Sequence, residues 1–458
     1  MQPSIGVRRE DKSDWERRTP ITPAVAAELR QRHDIQVIVQ PSPQRAFSAA
    51  EFEAAGARMQ EDLSGCPVVL GIKEIPKAAF LPGQAYVFFA HVIKGQPFNM
   101  PMLQRMLDLG CTLIDYEKVT DEAGRRLIFF GWHAGVAGML ETLWALGQRL
   151  AWQGIANPFT TLRRAYDYHD IAEAKLAVQQ VGEAIRRAGL PAALAPLTIG
   201  VAGYGNVARG VWEILDLLPV QRIEPGELAG LAAGLATVGR VAQRIETPRT
   251  ETPPTETSPA THTIYVTTFR EEHLAAPLDA GAAFDLQHYY ATPQAYRSDF
   301  EQYLPHLSVL VNAIYWDPRY PRLVTKDYLR AAWRDGQPKL RVIGDISCDI
   351  DGAIECTVKG TEPGAPNFVY SPLTDEVADG VAGEGVVVMA VDILPSELPR
   401  DASEYFSQVL LPYAPALASA DYTAPFADLA LPAELQRAVI AHRGELTPSY
   451  RYLQHHLQ

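Results

Sequence analysis

The sequence predicts an α/β protein made of two doubly wound, parallel-sheet domains with an active-site cleft between them, and three observations predict it. Short β-branched runs alternate with helical stretches through the first third of the chain. A strand at 197–202 runs straight into a glycine-rich turn and a second amphipathic helix, which opens another α/β unit. A late helix, expected over 402–411, follows Pro399 and is ended by Pro412, so the chain leaves the second domain and returns to the first. The expected domains are therefore 1–134 with 400–458, discontinuous, and 135–399. A chain of 458 residues is long enough for two domains of this kind.

Each element has a local reason. Residues 5–7 form the first expected strand, and Thr22-Pro23 opens a helix over 24–32 with threonine as cap and proline in the first turn. IQVIV at 35–39 and VVLGI at 68–72 are buried strands by their β-branched content, with a helix at 48–55 between them. YVFFA at 86–90 and residues 112–114 and 127–130 continue the series. A long helix is expected over 136–150, where Met139, Leu143, Leu146 and Leu150 recur at helical spacing and the preceding Gly-Trp-His-Ala-Gly favours close packing. Strands return at 309–312 and 340–346. The stretch ETPRTETPPTETSPATHT at 246–263 has no large apolar residue to offset its ordering entropy, so a disordered or extended surface insert is expected there.

Composition narrows the function classes. With 47% hydrophobic and 21% charged residues the chain is able to bury a core, and its net charge of −13 repels phosphate backbones and anionic lipid. Arg8, Arg9, Glu10, Asp11, Lys12, Asp14, Glu16, Arg17 and Arg18 crowd the N-terminus, which gives no targeting segment, and no apolar run approaches the ~18 residues of a membrane span. Cys66, Cys111, Cys348 and Cys356 show neither metal-ligand nor disulfide spacing. The expectation is a cytoplasmic protein without a metal site, whose partners are small molecules and possible further copies of itself.

The turn Gly203-Tyr204-Gly205-Asn206-Val207-Ala208 is G-x-G-x-x-A between a strand and a helix that presents Val207, Val211, Ile214, Leu215 and Leu218 on one face. Gly203 and Gly205 allow a tight turn and close backbone approach, Ala208 allows close helix packing, and the helix start faces a pyrophosphate. This is a Rossmann-like fingerprint. Glu224 lies twenty-one residues after Gly203, at the end of VQRI, where a carboxylate is able to hold adenosine ribose hydroxyls. Its plainer reading is a solvated residue before Pro225.

Lys73 and Glu74 end one strand and His91 ends another, and strand C-termini line the binding crevice of a parallel sheet. A lysine and a histidine there are suited to proton transfer near neutral pH. Arg18, Arg126 and Lys94 are suited to gripping carboxylates. Composition alone leaves these as a hydrogen-bonded structural histidine and surface charges.

The quoted residues carry a resemblance. VRREDKSDWERRTPITP at 7–23, GIKE at 71–74, FFAHVIKGQ at 88–96, DYEKVTDEAGRRLIFFGWHAG at 115–135, NAIYW at 312–316, GDISCDIDGAIE at 344–355 and VDILPSELPRDASEYF at 391–406 closely resemble the lysine–ketoglutarate reductase half of aminoadipic semialdehyde synthase. More distantly the chain is similar to fungal saccharopine dehydrogenase (lysine-forming), alanine dehydrogenase and transhydrogenase nucleotide subunits. The resemblance implies NADP(H) or NAD(H) as cofactor, with a slight lean to NADPH, and a reductive condensation of lysine with 2-oxoglutarate to saccharopine. It implies that Lys73 and His91 are the acid–base pair, tuned by Glu74 and Glu117. By the same resemblance Arg18, Arg126 and Lys94 lie near substrate and cofactor, and Asp392 beside the nicotinamide. It further implies a chain without the saccharopine-oxidising half, and the 246–263 insert has no counterpart. An alanine-dehydrogenase-like deaminase or related opine-type dehydrogenase, and a non-catalytic transhydrogenase subunit, are the rival readings.

Overall fold

The β-branched runs of the N-terminal third form six strands: β1 Ser4–Val7, β2 Gln36–Val39, β3 Arg58–Met59, β4 Val68–Leu70, β5 Ala85–Phe88 and β6 Thr112–Asp115. The structure is a computed structural model, and it describes residues 2–231, 259–336 and 338–457. Its contacts divide the chain into two units, Met1–Phe130 with Pro399–Gln458, and Gly131–Leu398.

In the first unit the sheet order is β3-β2-β1-β4-β5-β6, parallel throughout, and the strand order reverses between β1 and β4. That reversal is the switch point where a crevice opens beyond the strand C-termini. The buried faces of Ile5, Val37, Val68, Leu70, Val87 and Ile114 pack against Leu29 and Phe52 of the flanking helices. The helix Pro23–His33 carries proline in its first turn, and Ser48 and Glu51 form a capping box before Ala49–Ala54.

The C-terminal segment completes this unit. The helix Pro399–Leu410 begins three residues earlier than the sequence suggests, and its Ser403 and Ser407 hydroxyls accept the backbone N–H groups of Thr19 and Thr22 at 2.9 and 3.0 Å. The last two strands of the chain, Val439–His442 and Glu445–Leu446, add to β6, the first of them antiparallel. The expected strand at 127–130 does not form. Thr120 instead bridges Arg126 across a turn, and Leu127 N–H donates to the Val119 carbonyl.

The second unit holds β7 Leu197–Ala202, β8 Val220–Arg222, β9 Ile264–Phe269, the separate antiparallel pair β10 Ala275–Pro277 and β11 Tyr296–Ser298, then β12 Val309–Asn312, β13 Val342–Asp345, β14 Asn367–Ser371, β15 Glu376–Asp379 and β16 Val386–Met389. Its large sheet runs β8-β9-β7-β12-β13-β16-β14-β15, and only β14 runs against the others. The long helix spans Gly131–Trp152, five residues earlier than expected at its start, because the glycines are part of it. It crosses the helix Asn206–Leu215 at backbone contact: a Cβ on Gly135 would overlap the Val207 carbonyl oxygen, and one on Gly210 the Trp132 carbonyl oxygen.

Residues 246–258 of the Pro/Thr-rich insert lie outside the described residues. Its last part is packed rather than loose: Ala260 is buried, and the Leu190 N–H donates to the Thr261 carbonyl at 2.7 Å.

Candidate active site

The C-termini of β1, β4, β5 and β6 bring a set of charged side chains together in the first unit. Beyond β1, buried Glu10 accepts the backbone N–H groups of Ile72 and Lys73 at 2.8 and 3.0 Å, which fixes the turn that carries Lys73 out of β4. Burial pushes the Glu10 carboxyl up to about 7, against the pull of Arg8. Lys73 itself is pushed below the ordinary lysine range by burial and then by the charge of Arg18, while Glu16 and Glu74 oppose the shift. A lysine of this kind is set for proton exchange nearer neutrality.

Glu74 Oε1 meets His91 Nδ1 at 2.8 Å, and its Oε2 accepts from Lys12 Nζ at 2.6 Å. Burial works against ionisation of Glu74, but the hydrogen bonds from His91 and Lys12 prevail and hold it at about 2. An ionised Glu74 therefore orients the imidazole and leaves Nε2 for chemistry. His91 has φ +48, a left-handed conformation uncommon for a residue with a side chain, and Asn99 Nδ2 holds its carbonyl at 3.1 Å. Asp115, the last residue of β6, is fully buried; burial pushes it up to about 7 while the charge of His91 pulls it down.

Arg18 is buried and doubly bonded to Glu16, at 2.7 Å from Nε and 2.6 Å from Nη2, with its guanidinium 4.4 Å from the centroid of the Phe130 ring. That pairing neutralises much of its charge. Arg126 pairs with Glu117, whose backbone N–H is fixed by Asp115 Oδ1 at 2.9 Å. Lys94 stands apart: it is exposed, and its backbone N–H donates to Gln96 Oε1. Glu10, Lys12 and Glu16 registered in the sequence only as N-terminal charges, and Asp115 and Asn99 not at all. The nearest signal for Asp115 and Glu10 was their place at, or a few residues beyond, the ends of short apolar strands.

In the second unit Gly203 takes φ +106, its N–H donates to the Phe269 carbonyl at 3.0 Å, and a Cβ there would lie 2.8 Å from the Ala313 carbonyl oxygen. Nothing lies within 4 Å of a Cβ built on Gly205, and Ala208, in the first turn of the helix, is buried. The space over Gly205 and the unpaired N–H groups of the helix's first turn fit a pyrophosphate. A cavity of about 310 Å³ adjoins this turn, lined among others by Tyr204, Glu271, Tyr290, Ala313 and Tyr315.

Glu224 does not stand beside this turn. It follows β8, the outermost strand, where its N–H donates to Glu227 Oε2 at 2.7 Å in a capping box. The strand paired with β7 is β9, so Glu224 is one strand, roughly 5 Å, further out than the twenty-residue count assumes. Residues Arg270 and Glu271, directly after β9, occupy that place. Tyr204 and Tyr290 both donate to Glu271 Oε1, at 3.2 and 2.6 Å, and Arg270 lies 5.2 Å from the centroid of the Tyr204 ring. Arg222 pairs with Asp216 at 2.7 Å rather than with Glu224. Asp392 is exposed past β16, close enough to Cys348 that its charge helps raise that thiol. The buried acid of this edge is Asp345, held by Asn312 at 2.8 Å and Thr357 at 2.6 Å and raised by burial to about 6.

Two family models match the chain in order: "Alanine dehydrogenase/PNT, N-terminal domain" over residues 6–137 and "Alanine dehydrogenase/PNT, C-terminal domain" over 282–449. The chain belongs to this family. It is 37% identical over 98% of its length to alpha-aminoadipic semialdehyde synthase of Arabidopsis thaliana, of which it covers 41%, and 32% identical to the mitochondrial enzyme of Bos taurus, of which it covers 47%. The chain thus spans somewhat less than half the length of these relatives. It is also 28% identical to "Saccharopine dehydrogenase [NAD(+), L-lysine-forming]" of Neurospora crassa, over 90% of this chain and 91% of that one. A solved L-alanine dehydrogenase shares the fold at a TM-score of 0.59 and 16% identity, covering 99% of this chain and all of that one.

Proposed function

We propose that the chain is a nicotinamide-dependent oxidoreductase that condenses the ε-amine of L-lysine with 2-oxoglutarate and reduces the product to saccharopine, or runs this reaction backwards. The observation that carries the reading is the Lys73–Glu74–His91 set at the switch point, with a lysine held low by burial and a histidine oriented by an ionised carboxylate.

The condensation requires one group to take a proton from the amine as it attacks the keto carbon, and one to protonate the departing hydroxyl as water leaves. Lys73, whose burial favours its uncharged form, is the acceptor, and His91, oriented by Glu74, is the donor. Burial limits the access of water to Lys73, and Arg126, half-exposed beside Glu117, is placed to meet a substrate carboxylate. The bound dinucleotide supplies the hydride for the imine carbon. Gly203, Gly205 and the helix start hold its pyrophosphate.

For the cofactor, Glu271 rather than Glu224 takes the adenosine ribose. Its carboxylate, braced by two phenols, favours a 2′-hydroxyl and repels a 2′-phosphate, so NADH is preferred over NADPH. The test of the function is a substrate matrix of lysine, ornithine and ammonia against 2-oxoglutarate and pyruvate, with NADH and NADPH oxidation followed. Turnover only with ammonia and pyruvate would sink the lysine reading in favour of an amino-acid deaminase.

A further inference from the structure

The back edge of the second unit's sheet holds a cation-lined cavity that the proposed chemistry does not use. The glycine turn lies at the strand C-termini; this cavity lies at the opposite edge, where β13 and β16 begin. It has a volume of about 380 Å³, and its walls include Arg149, Trp152, Trp333, Arg341 and Glu384. Arg149, in the last turn of the helix Gly131–Trp152, is buried, with 4% of its surface exposed. Its Nη atoms donate to the carbonyls of Val381, Gly383 and Gly385 at 2.7, 2.7 and 2.9 Å, and its Nε has no partner among the described residues. Its guanidinium sits 4.5 Å from the Trp152 ring centroid. Arg341 donates to Gln153 Oε1 at 3.3 Å and to the Lys339 carbonyl at 3.0 Å.

Both guanidiniums donate to carbonyl and amide oxygens, which fix them in place. Burial disfavours the charge of each; Glu384 supports that of Arg149, while Arg341 opposes it and also opposes that of neighbouring Lys339. Like charges crowded into a half-dried cavity are relieved by an anion. A surface on a chain of net charge −13 does not gather cations by default. Arg149, Arg341 and neighbouring Lys339 stand against the single carboxylate of Glu384, an excess of positive charge that suits a bound carboxylate. Two indoles supply flat apolar walls, and the volume is at the small end of ligand sites.

We propose that this cavity binds a small monocarboxylate with a flat apolar body, its carboxylate between Arg149 and Arg341 and its body against Trp152 and Trp333. The site is independent of the reaction proposed above.

Isothermal titration of the full chain with benzoate, with benzyl alcohol and inorganic phosphate as comparators, tests it. Saturable benzoate binding is expected, weaker by about tenfold or more in Arg341→Met and in Trp333→Ala. Benzyl alcohol, which lacks the charge, and phosphate, which lacks the flat body, should bind less tightly than benzoate. Hydrogen exchange with benzoate should protect residues 149–155 and 384–386. The inference is overturned if benzoate binds both variants as it binds the parent chain, if protection falls only elsewhere, or if no saturable binding occurs.

Discussion

Lys73 and His91 carry the proposed proton transfers from neighbouring strand ends, so Lys73→Met and His91→Gln should each lower turnover by ~10²-fold or more. Dinucleotide affinity, measured separately by fluorescence titration, should stay near the parent value, since the glycine turn belongs to the other unit. Near-parent turnover in either variant would remove that residue from the mechanism. Asp115 supplies a second test, through stability. Its carboxyl, raised from 3.8 to about 7 by burial, keeps its proton in the folded state across a range where the unfolded chain has lost it. The folded state therefore binds more protons between about pH 4 and 7, and this group's contribution to stability falls as pH rises through that window and levels off above it. Asp115→Asn imitates the protonated form, so the melting temperature should decline less steeply from pH 4 to 7 than in the parent. An unchanged slope would mean that Asp115 is ionised in the fold. The places of Lys73, Glu74 and His91 just beyond strand ends were legible because apolar strands precede them. Asp115 and Glu10 were not, because burial is what gives an acid at a strand end its raised proton affinity, and burial depends on the elements packed over it.

At the scale of elements, the strand order decides which acid lies beside the glycine turn. Counting about twenty residues from the turn assumes that the second strand in sequence lies beside the first. Here the three-residue VQR strand, half-exposed to exposed, takes the edge, while IYVTTF, with Ile264, Val266 and Phe269 fully buried, takes the inner place beside β7. Polar residues suit an edge and apolar ones the interior, so the order follows from composition once both strands are compared. Glu271→Ala should shift the ratio of kcat/KM toward NADPH, and Glu224→Ala should leave it unchanged. The reverse pattern would return the ribose to Glu224. The helix crossing beneath the turn is a second element-scale device. Gly210→Ala gains up to about 1 kcal/mol of helix propensity but drives a methyl into the Trp132 carbonyl oxygen. Overpacking against backbone costs about 1–3 kcal/mol or more, so the clash wins. A lower melting temperature and weaker dinucleotide binding are expected together, and a stabilised variant would contradict the contact.

Over the whole chain, the alternating pattern of the first third was enough to show a parallel α/β sheet, and the glycine turn to show a second. The closing strands Val439–His442 and Glu445–Leu446 left no trace, because four- and two-residue antiparallel additions carry too little periodicity. What this closing segment does is hold a loop that lies almost four hundred residues earlier. The Thr19 and Thr22 N–H groups are buried, and the hydroxyls of Ser403 and Ser407, one helical turn apart, are their acceptors. Phe406, between them on the same helix, stacks on Phe130 at 5.1 Å, and Phe130 in turn underlies Arg18. The loop so held carries Glu16 and Arg18, whose charges bear on Lys73. Ser403→Ala and Ser407→Ala each leave a buried N–H without its acceptor, at a cost of about 1–3 kcal/mol. The double variant should therefore melt well below the parent and show a higher KM for the carboxylate substrates, with dinucleotide affinity unaltered. A double variant as stable as the parent would show that water replaces both hydroxyls. One that is less stable yet keeps its KM would show that the loop's position does not depend on the returning helix.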